Sequence, residues 1–222
     1  VRETTAGGWR VGEGDAGGWR GDSVAGKSPG RGGPLKEAFD NEVLFVVGTQ
    51  GSAEENAWAL AKARFDAETF YYRGNGAIDV VLDGDYLSAV GAAGAGQITE
   101  LNVILYGKSD TNAVWGSVLR DCPIEVRRGS VRVGDRVLER ADLAALFVYP
   151  RAGSDRASVG AVTGTGLAGF RLTDQLPYFV SGVAYPDWIV LEPAMLAAGS
   201  DGVLGAGFFD VRWSLGEDQV WR

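Results

Sequence analysis

The sequence predicts an α/β domain: a three-layer fold with a mainly parallel, doubly wound sheet of the flavodoxin or Rossmann-like kind, preceded by a Gly-rich N-terminal arm. Three observations predict it. Runs of apolar β-formers recur, as in Val43-Leu44-Phe45-Val46-Val47 and Asn102-Val103-Ile104-Leu105-Tyr106, and an unbroken apolar run marks a strand covered on both faces. Amphipathic helical stretches alternate with these runs, the pattern of helices packed on a sheet. Two βα units also look alike: each reads apolar strand, Gly, polar turn, then Asn-Ala with Trp close behind, as Asn56-Ala57-Trp58 and Asn112-Ala113-Val114-Trp115. Such units imply successive strands of one parallel sheet, for which five or six strands are expected.

Residues 1–34 read as arm and linker, and residues 35–222 as the domain with an aromatic C-terminal tail. The arm repeats Ala-Gly-Gly-Trp-Arg at residues 6–10 and 16–20, too short a repeat for a solenoid and suited to a β-hairpin or an extended arm. Trp9 and Trp19 are then anchors against a neighbouring surface, a route to a homo-oligomer, or alternatively a carbohydrate-stacking pair. Residues 28–34 are linker by composition. After the strand at 43–47, Gly48-Thr49-Gln50-Gly51 supplies turn chemistry. Ser52 with Glu55 three residues on forms a capping box for a long helix through Trp58 and Phe65.

Residues 78–82 form a second strand and 83–93 a short helix; the strand at 102–106 leads into a helix through Trp115 and Leu119. Residues 124–126 and 131–133 pair as a hairpin at the sheet edge, with 137–138 returning. Strands follow at 143–149, 159–162 and 188–191, with a helix between the last two that Pro177 ends or kinks. Phe208, Phe209, Trp213 and Trp221 are expected to pack back on the core.

A chain of 222 residues fits one generous domain, and its 34 glycines call for many turns. The net charge of -8 and pI near 4.7 argue against nucleic acid, which needs a concentrated basic face. No apolar run reaches the roughly 18 residues of a membrane span, and no signal-peptide h-region is present. The start at Val1 points to a processed product or a piece of a longer polypeptide. With no histidine and one cysteine, Cys122, the chain has no Ser-His-Asp or Cys-His pair, no imidazole or thiolate metal site and no internal disulfide.

The strand exits gather the polar residues. Gly48, Thr49, Gly51 and Ser52, then Gly107, Ser109, Asp110 and Asn112, then Thr163, Gly164, Thr165 and Gly166 follow apolar strands, and Arg151, Ser154 and Asp155 follow another. In a parallel sheet these loops meet at the carboxyl edge, where ligands bind at a switch in strand order. The candidate ligand-binding residues are therefore Gly48, Thr49, Gly51, Ser52, Gly107, Ser109, Asp110, Asn112, Gly164, Thr165 and Gly166, and the expected guest is a small anion or polyol. For each residue alone the competing reading is helix capping.

Gly164-Thr165-Gly166-Leu167-Ala168-Gly169 is a literal G-x-G-x-x-G between a strand and a helix, a dinucleotide fingerprint in form. However, Glu192 lies too far on and Pro177 interrupts the helix, so a tight strand-to-helix turn competes with it and no cofactor or metal is expected. Gly107-Lys108-Ser109 lacks the spacing of a P-loop, and no G-x-S-x-G nucleophile elbow occurs. Asp79, Asp83 and Asp85 read as solvated turn carboxylates rather than a cation site.

The stretch from Gly33-Pro34-Leu35-Lys36-Glu37-Ala38-Phe39 through Val43-Leu44-Phe45-Val46-Val47-Gly48-Thr49 to Glu54-Glu55-Asn56-Ala57-Trp58 resembles the C-terminal region of large bacterial prolyl oligopeptidase-like proteins. Ala67-Glu68-Thr69-Phe70, Arg73-Gly74-Asn75-Gly76, Asn102-Val103-Ile104-Leu105-Tyr106-Gly107, Leu172-Thr173-Asp174 and Tyr185-Pro186-Asp187-Trp188 carry the same resemblance, which spans roughly Gly33 to Trp188. It implies an accessory α/β domain whose partner is a catalytic α/β-hydrolase domain, in an extracellular or periplasmic setting. No catalytic residue of that family has a counterpart here, so the chain alone is not expected to be an enzyme. The alternative is an autonomous small-ligand or dinucleotide-binding protein using the carboxyl-edge loops.

Overall fold

The computed structural model describes residues 26–40, 42–74, 76–92, 96–216 and 219–222, together with the backbone of two short strands, β1 (Arg2–Glu3) and β2 (Trp9–Arg10), which pair antiparallel. Most of the first Ala-Gly-Gly-Trp-Arg copy and all of the second, with Trp19, lie outside the described residues. A 3-10 helix (Leu35–Phe39) leads into β3 (Val43–Val47), α1 (Ala53–Gly74), β4 (Asp79–Leu82) and α2 (Asp83–Gly91). The single turn α3 (Gly96–Thr99) precedes β5 (Asn102–Tyr106) and α4 (Trp115–Val118). Then come β6 (Ile124–Arg127), β7 (Ser130–Val133) and β8 (Arg136–Leu138), which form a small sheet of their own. β9 (Ala144–Pro150), β10 (Ser158–Gly164), α5 (Leu167–Leu172), β11 (Trp188–Leu191), α6 (Met195–Ala198), β12 (Val203–Gly207) and β13 (Val220–Trp221) complete the chain.

The fold is mixed α/β. Among the described residues its main sheet has eight strands in the order β13-β12-β11-β9-β10-β5-β3-β4, more than the five or six expected. β4, β3, β5 and β10 run parallel, with Val43 opposite Asn102 and Val159 opposite Val103. From β10 outward every pairing is antiparallel. The likeness of the two βα units thus reflects neighbouring parallel strands, whereas β9 departs from the parallel expectation. Only seven residues, 151–157, join it to β10, too few for the crossover that a parallel pair needs. Arg151, Ser154 and Asp155 consequently lie at the opposite edge from the loops after β3, β5 and β10.

Strand alternation puts Phe45, Ile104, Gly160 and Val148 in one row on one face. The first 3-10 helix and α1 pack on that face. A Cβ on Gly160 would stand 2.6 Å from the Ile104 side chain and 3.0 Å from Ala38, so the absent side chain is what admits the 3-10 helix. The other face carries Phe147, whose ring meets Trp115 of α4 edge-on at 5.8 Å, and Tyr149, which meets Phe209 and Trp213. Phe209 and Trp213 are buried and Trp221 lies 5.2 Å from Trp188, as expected of the tail, but Phe208 is exposed. α5 ends at Leu172 and a 3-10 turn (Thr173–Gln175) follows, so the helix stops before Pro177.

One polar cluster sits inside this apolar packing. Asp66 of α1 accepts hydrogen bonds from Lys62 at 2.7 Å, from the Tyr106 hydroxyl at 2.9 Å and from the Tyr178 hydroxyl, and all four residues are buried. Burial pushes the Asp66 carboxyl up, against Lys62 and the two hydroxyls, which pull it down. Both tyrosine hydroxyls are pushed well up by burial and by the adjoining Asp66, and remain donors at neutral pH. The cluster ties α1 to β5 and to the segment after α5. Tyr178→Phe removes one charge-assisted bond and should lower the unfolding free energy by about 1.5–3 kcal/mol. Urea titration with an unchanged slope checks this; an effect under about 0.5 kcal/mol would show that the bond contributes little.

Candidate functional site

The strand order places the switch point between β3 and β5: the chain leaves β3 for β4 on one side and returns to β5 on the other. That crevice at the carboxyl edge is where an open α/β sheet takes a ligand. Here it is closed by the chain itself. Asn112 Nδ2 donates to the carbonyls of Val46 (3.1 Å) and Tyr106 (3.3 Å), and its Oδ1 accepts from the Val114 amide at 3.0 Å, so one side chain bridges the ends of both strands. The Gly48 amide donates to Tyr106 O and the Gln50 amide to Thr111 O. A Cβ on Gly48 would stand 2.5 Å from that same Thr111 carbonyl; glycine is required because the two exit loops touch. Asn56 plays the matching part in the first unit, donating to Thr49 O and accepting from the Gly51 amide.

Asp83 locks the rim from the α2 side. Its carboxylate accepts from the Thr49 hydroxyl at 2.7 Å and from the Ala113 amide at 2.8 Å, and the residue is buried rather than solvated as its turn position implied. The turn between β6 and β7 then crosses the rim. Ser109 donates its amide to Val126 O, and Gly129 donates to Thr165 O, so the hairpin expected at the sheet edge touches the exits of β5 and β10.

Beneath the hairpin lies an ion network. Lys108, 0% exposed, donates to Glu55 Oε1 at 2.7 Å, and Arg128 from the hairpin turn donates to Glu55 Oε2 at 2.7 Å. The Lys108 ammonium stands 5.0 Å from the Phe170 ring, which stacks on Trp58 at 4.4 Å. The capping box is formed as expected, Ser52 N–H donating to Glu55 Oε2 and Glu55 N–H to Ser52 Oγ. Burial works to raise the Glu55 carboxyl, but the bonds from Lys108, the Ser52 amide and Arg128 outweigh it and hold it below the usual carboxylate range.

The candidate residues of the first two loops are thus brought together. Gly48 stands against Gly107 and Asn112, Thr49 is tied to the second loop through Asp83, and Ser52 is tied to it through Glu55 and Lys108; Gly107 stands at φ +123, and Asp110 is exposed. Thr165 does not cap α5: its hydroxyl accepts from the Leu143 amide, and Gly166 occupies the cap position. The space that Gly164 and Gly169 leave open holds backbone, since their added Cβ atoms would stand 2.6 Å from Gly169 C and 1.9 Å from Leu143 O. Ser109 Oγ and Thr163 Oγ1 are buried without a partner among the described residues.

Glu55, Lys108, Arg128 and Asp83 escaped the sequence reading as a group. Glu55 was visible as a cap, but no local spacing links it to a lysine 53 residues on. No protein-family model and no curated protein matches the chain.

Glu55→Gln leaves Lys108 buried without its counter-charge and should cost about 3–5 kcal/mol at pH 7. The folded carboxyl lies below its unfolded value, so the unfolded state takes up the proton first. The network's contribution is full above the unfolded value of about 4.3 and is lost as pH falls through the lower folded value. Chemical denaturation from pH 7 to pH 3 should therefore show the gap between parent and variant closing in acid. A gap constant across that range would refute the coupling.

Proposed function

We propose that this chain is a non-catalytic accessory or interaction domain of a prolyl oligopeptidase-like serine hydrolase, acting beside its catalytic domain in an extracellular or periplasmic setting, and that its fold is of the three-layer, doubly wound kind. The observation that carries this reading is the closed carboxyl edge. Where an enzyme of this architecture would hold its substrate, the β6–β7 turn, Asn112 and the Glu55 network fill the crevice. The nucleophile inventory agrees. The chain has no histidine, the Ser52 hydroxyl is engaged in capping, and burial pushes the half-buried Cys122 thiol up to about 12, where it stays protonated at neutral pH. Large apolar side chains stand free on the surface, including Phe65 and Tyr72 two turns apart on α1, which suits contact with another protein.

The purified chain should give no turnover of ester or peptidyl substrates above background. The coding sequence on its N-terminal side should hold, in the same polypeptide or the next gene, a hydrolase domain with a G-x-S-x-G elbow, and adding the chain to that domain should change its KM. A turnover that survives mutation of any contaminating hydrolase, or a neighbourhood without a hydrolase, would overturn the proposal.

A further inference from the structure

A cleft at the C-terminal end of α1, the far end of the helix from the Glu55 network, is lined by aromatic and charged side chains. A cavity of about 290 Å³ opens between the C-terminal end of α1, the first 3-10 helix and residues 178–179. A second, of about 240 Å³, shares Arg73, Tyr178 and Phe179 with it. The first lies near the lower end of the ~300–1,000 Å³ of small-molecule pockets, which favours a compact guest.

Its wall is aromatic and interlocked. Phe39 meets Phe179 edge-on at 4.8 Å and stacks on Tyr178 at 5.7 Å, while Phe70 meets Phe179 at 5.8 Å. Tyr178 is fixed in turn by Asp66, so the wall is held before any ligand arrives. The Lys36 ammonium is spent on the Val180 carbonyl at 2.7 Å and closes one side. Two opposite charges remain. The Arg73 guanidinium and the Asp40 carboxylate line the same cavity, and neither has a side-chain hydrogen bond or ion pair among the described residues, with each other included.

We propose that this cleft binds a free α-amino acid with a large apolar side chain, its carboxylate on Arg73, its ammonium on Asp40 and its side chain against Phe39, Phe70 and Phe179. A simple anion would meet Asp40 and a simple cation would meet Arg73, each with like charge. A zwitterion satisfies both, and the ring faces add attraction for the ammonium.

Calorimetric titration of the full chain with L-phenylalanine, 3-phenylpropionate and phenethylamine tests this. L-phenylalanine should saturate the site, and both analogues, each lacking one charge, should bind at least about tenfold more weakly, or about 1.4 kcal/mol. Arg73→Met should weaken L-phenylalanine about tenfold and leave phenethylamine no weaker; Asp40→Asn should weaken L-phenylalanine likewise and leave 3-phenylpropionate no weaker. Both residues are exposed, so the variants should keep the parent's melting temperature. Absence of saturation in the millimolar range, equal binding of 3-phenylpropionate, or L-phenylalanine binding unchanged in Arg73→Met would each overturn the proposal.

Discussion

Two buried carboxylates on α1 constrain the rest of the molecule. Glu55 and Asp66 are eleven residues apart, three turns of helix, and so face the same way. A buried carboxylate is tolerated only with its charge or hydrogen bonds satisfied, and each of these finds its partners on different elements. Glu55 draws in Lys108 from the β5 exit and Arg128 from the hairpin. Asp66 draws in Tyr106 from the last position of β5 and Tyr178 from beyond α5. The helix is thereby fixed in rotation and along its axis, because a shift by one residue would strand both groups at once. Apolar packing around Ala59 and Ala63 would allow more freedom, since it has no direction.

The crowding at the carboxyl edge follows from this fixation. With α1 seated against β5, the Gly48 loop meets the Thr111 loop closely enough to exclude a Cβ, and Asn112 inserts between the strand ends. Ser52, Asn112 and Thr165, which looked like ligand donors in the sequence, act on the backbone of their own chain instead. This is the usual use of Ser, Thr and Asn beside a helix start. The two tandem Asn-Ala units are also explained: Asn56 and Asn112 each tie down the loop that follows their own strand.

Much of the fold was legible because it rests on local patterns. The Val43 and Asn102 strands, the Ser52 capping box and the three short strands after Pro123 stand where periodicity and turn chemistry put them. The direction of β9 was not legible from its apolar run, since a strand buried on both faces reads the same in either direction; the seven-residue connection to β10 was the available signal. β12 went unseen because Gly205 and Gly207 dilute its apolar pattern, their missing side chains making room for Trp221 and Trp188, and β13 because two residues carry no period. The rim's partners were hidden for a different reason: Asp83 meets Thr49 and Ala113, and Lys108 and Arg128 meet Glu55, only through tertiary contacts, which leave no spacing in the sequence.

The reversal of β9 bears on how the sheet assembles. β10 is the seam of the sheet, parallel to β5 on one side and antiparallel to β9 on the other. Closing the short connection between β9 and β10 costs little chain entropy, whereas pairing β3 with β5 must first gather α1, β4, α2 and α3 between them. The antiparallel pair is therefore the local contact and the parallel half the distant one. A chain built this way can raise a template strand early, with Val159 and Ala161 already in place, and offer its free edge to β5 when the slower half arrives.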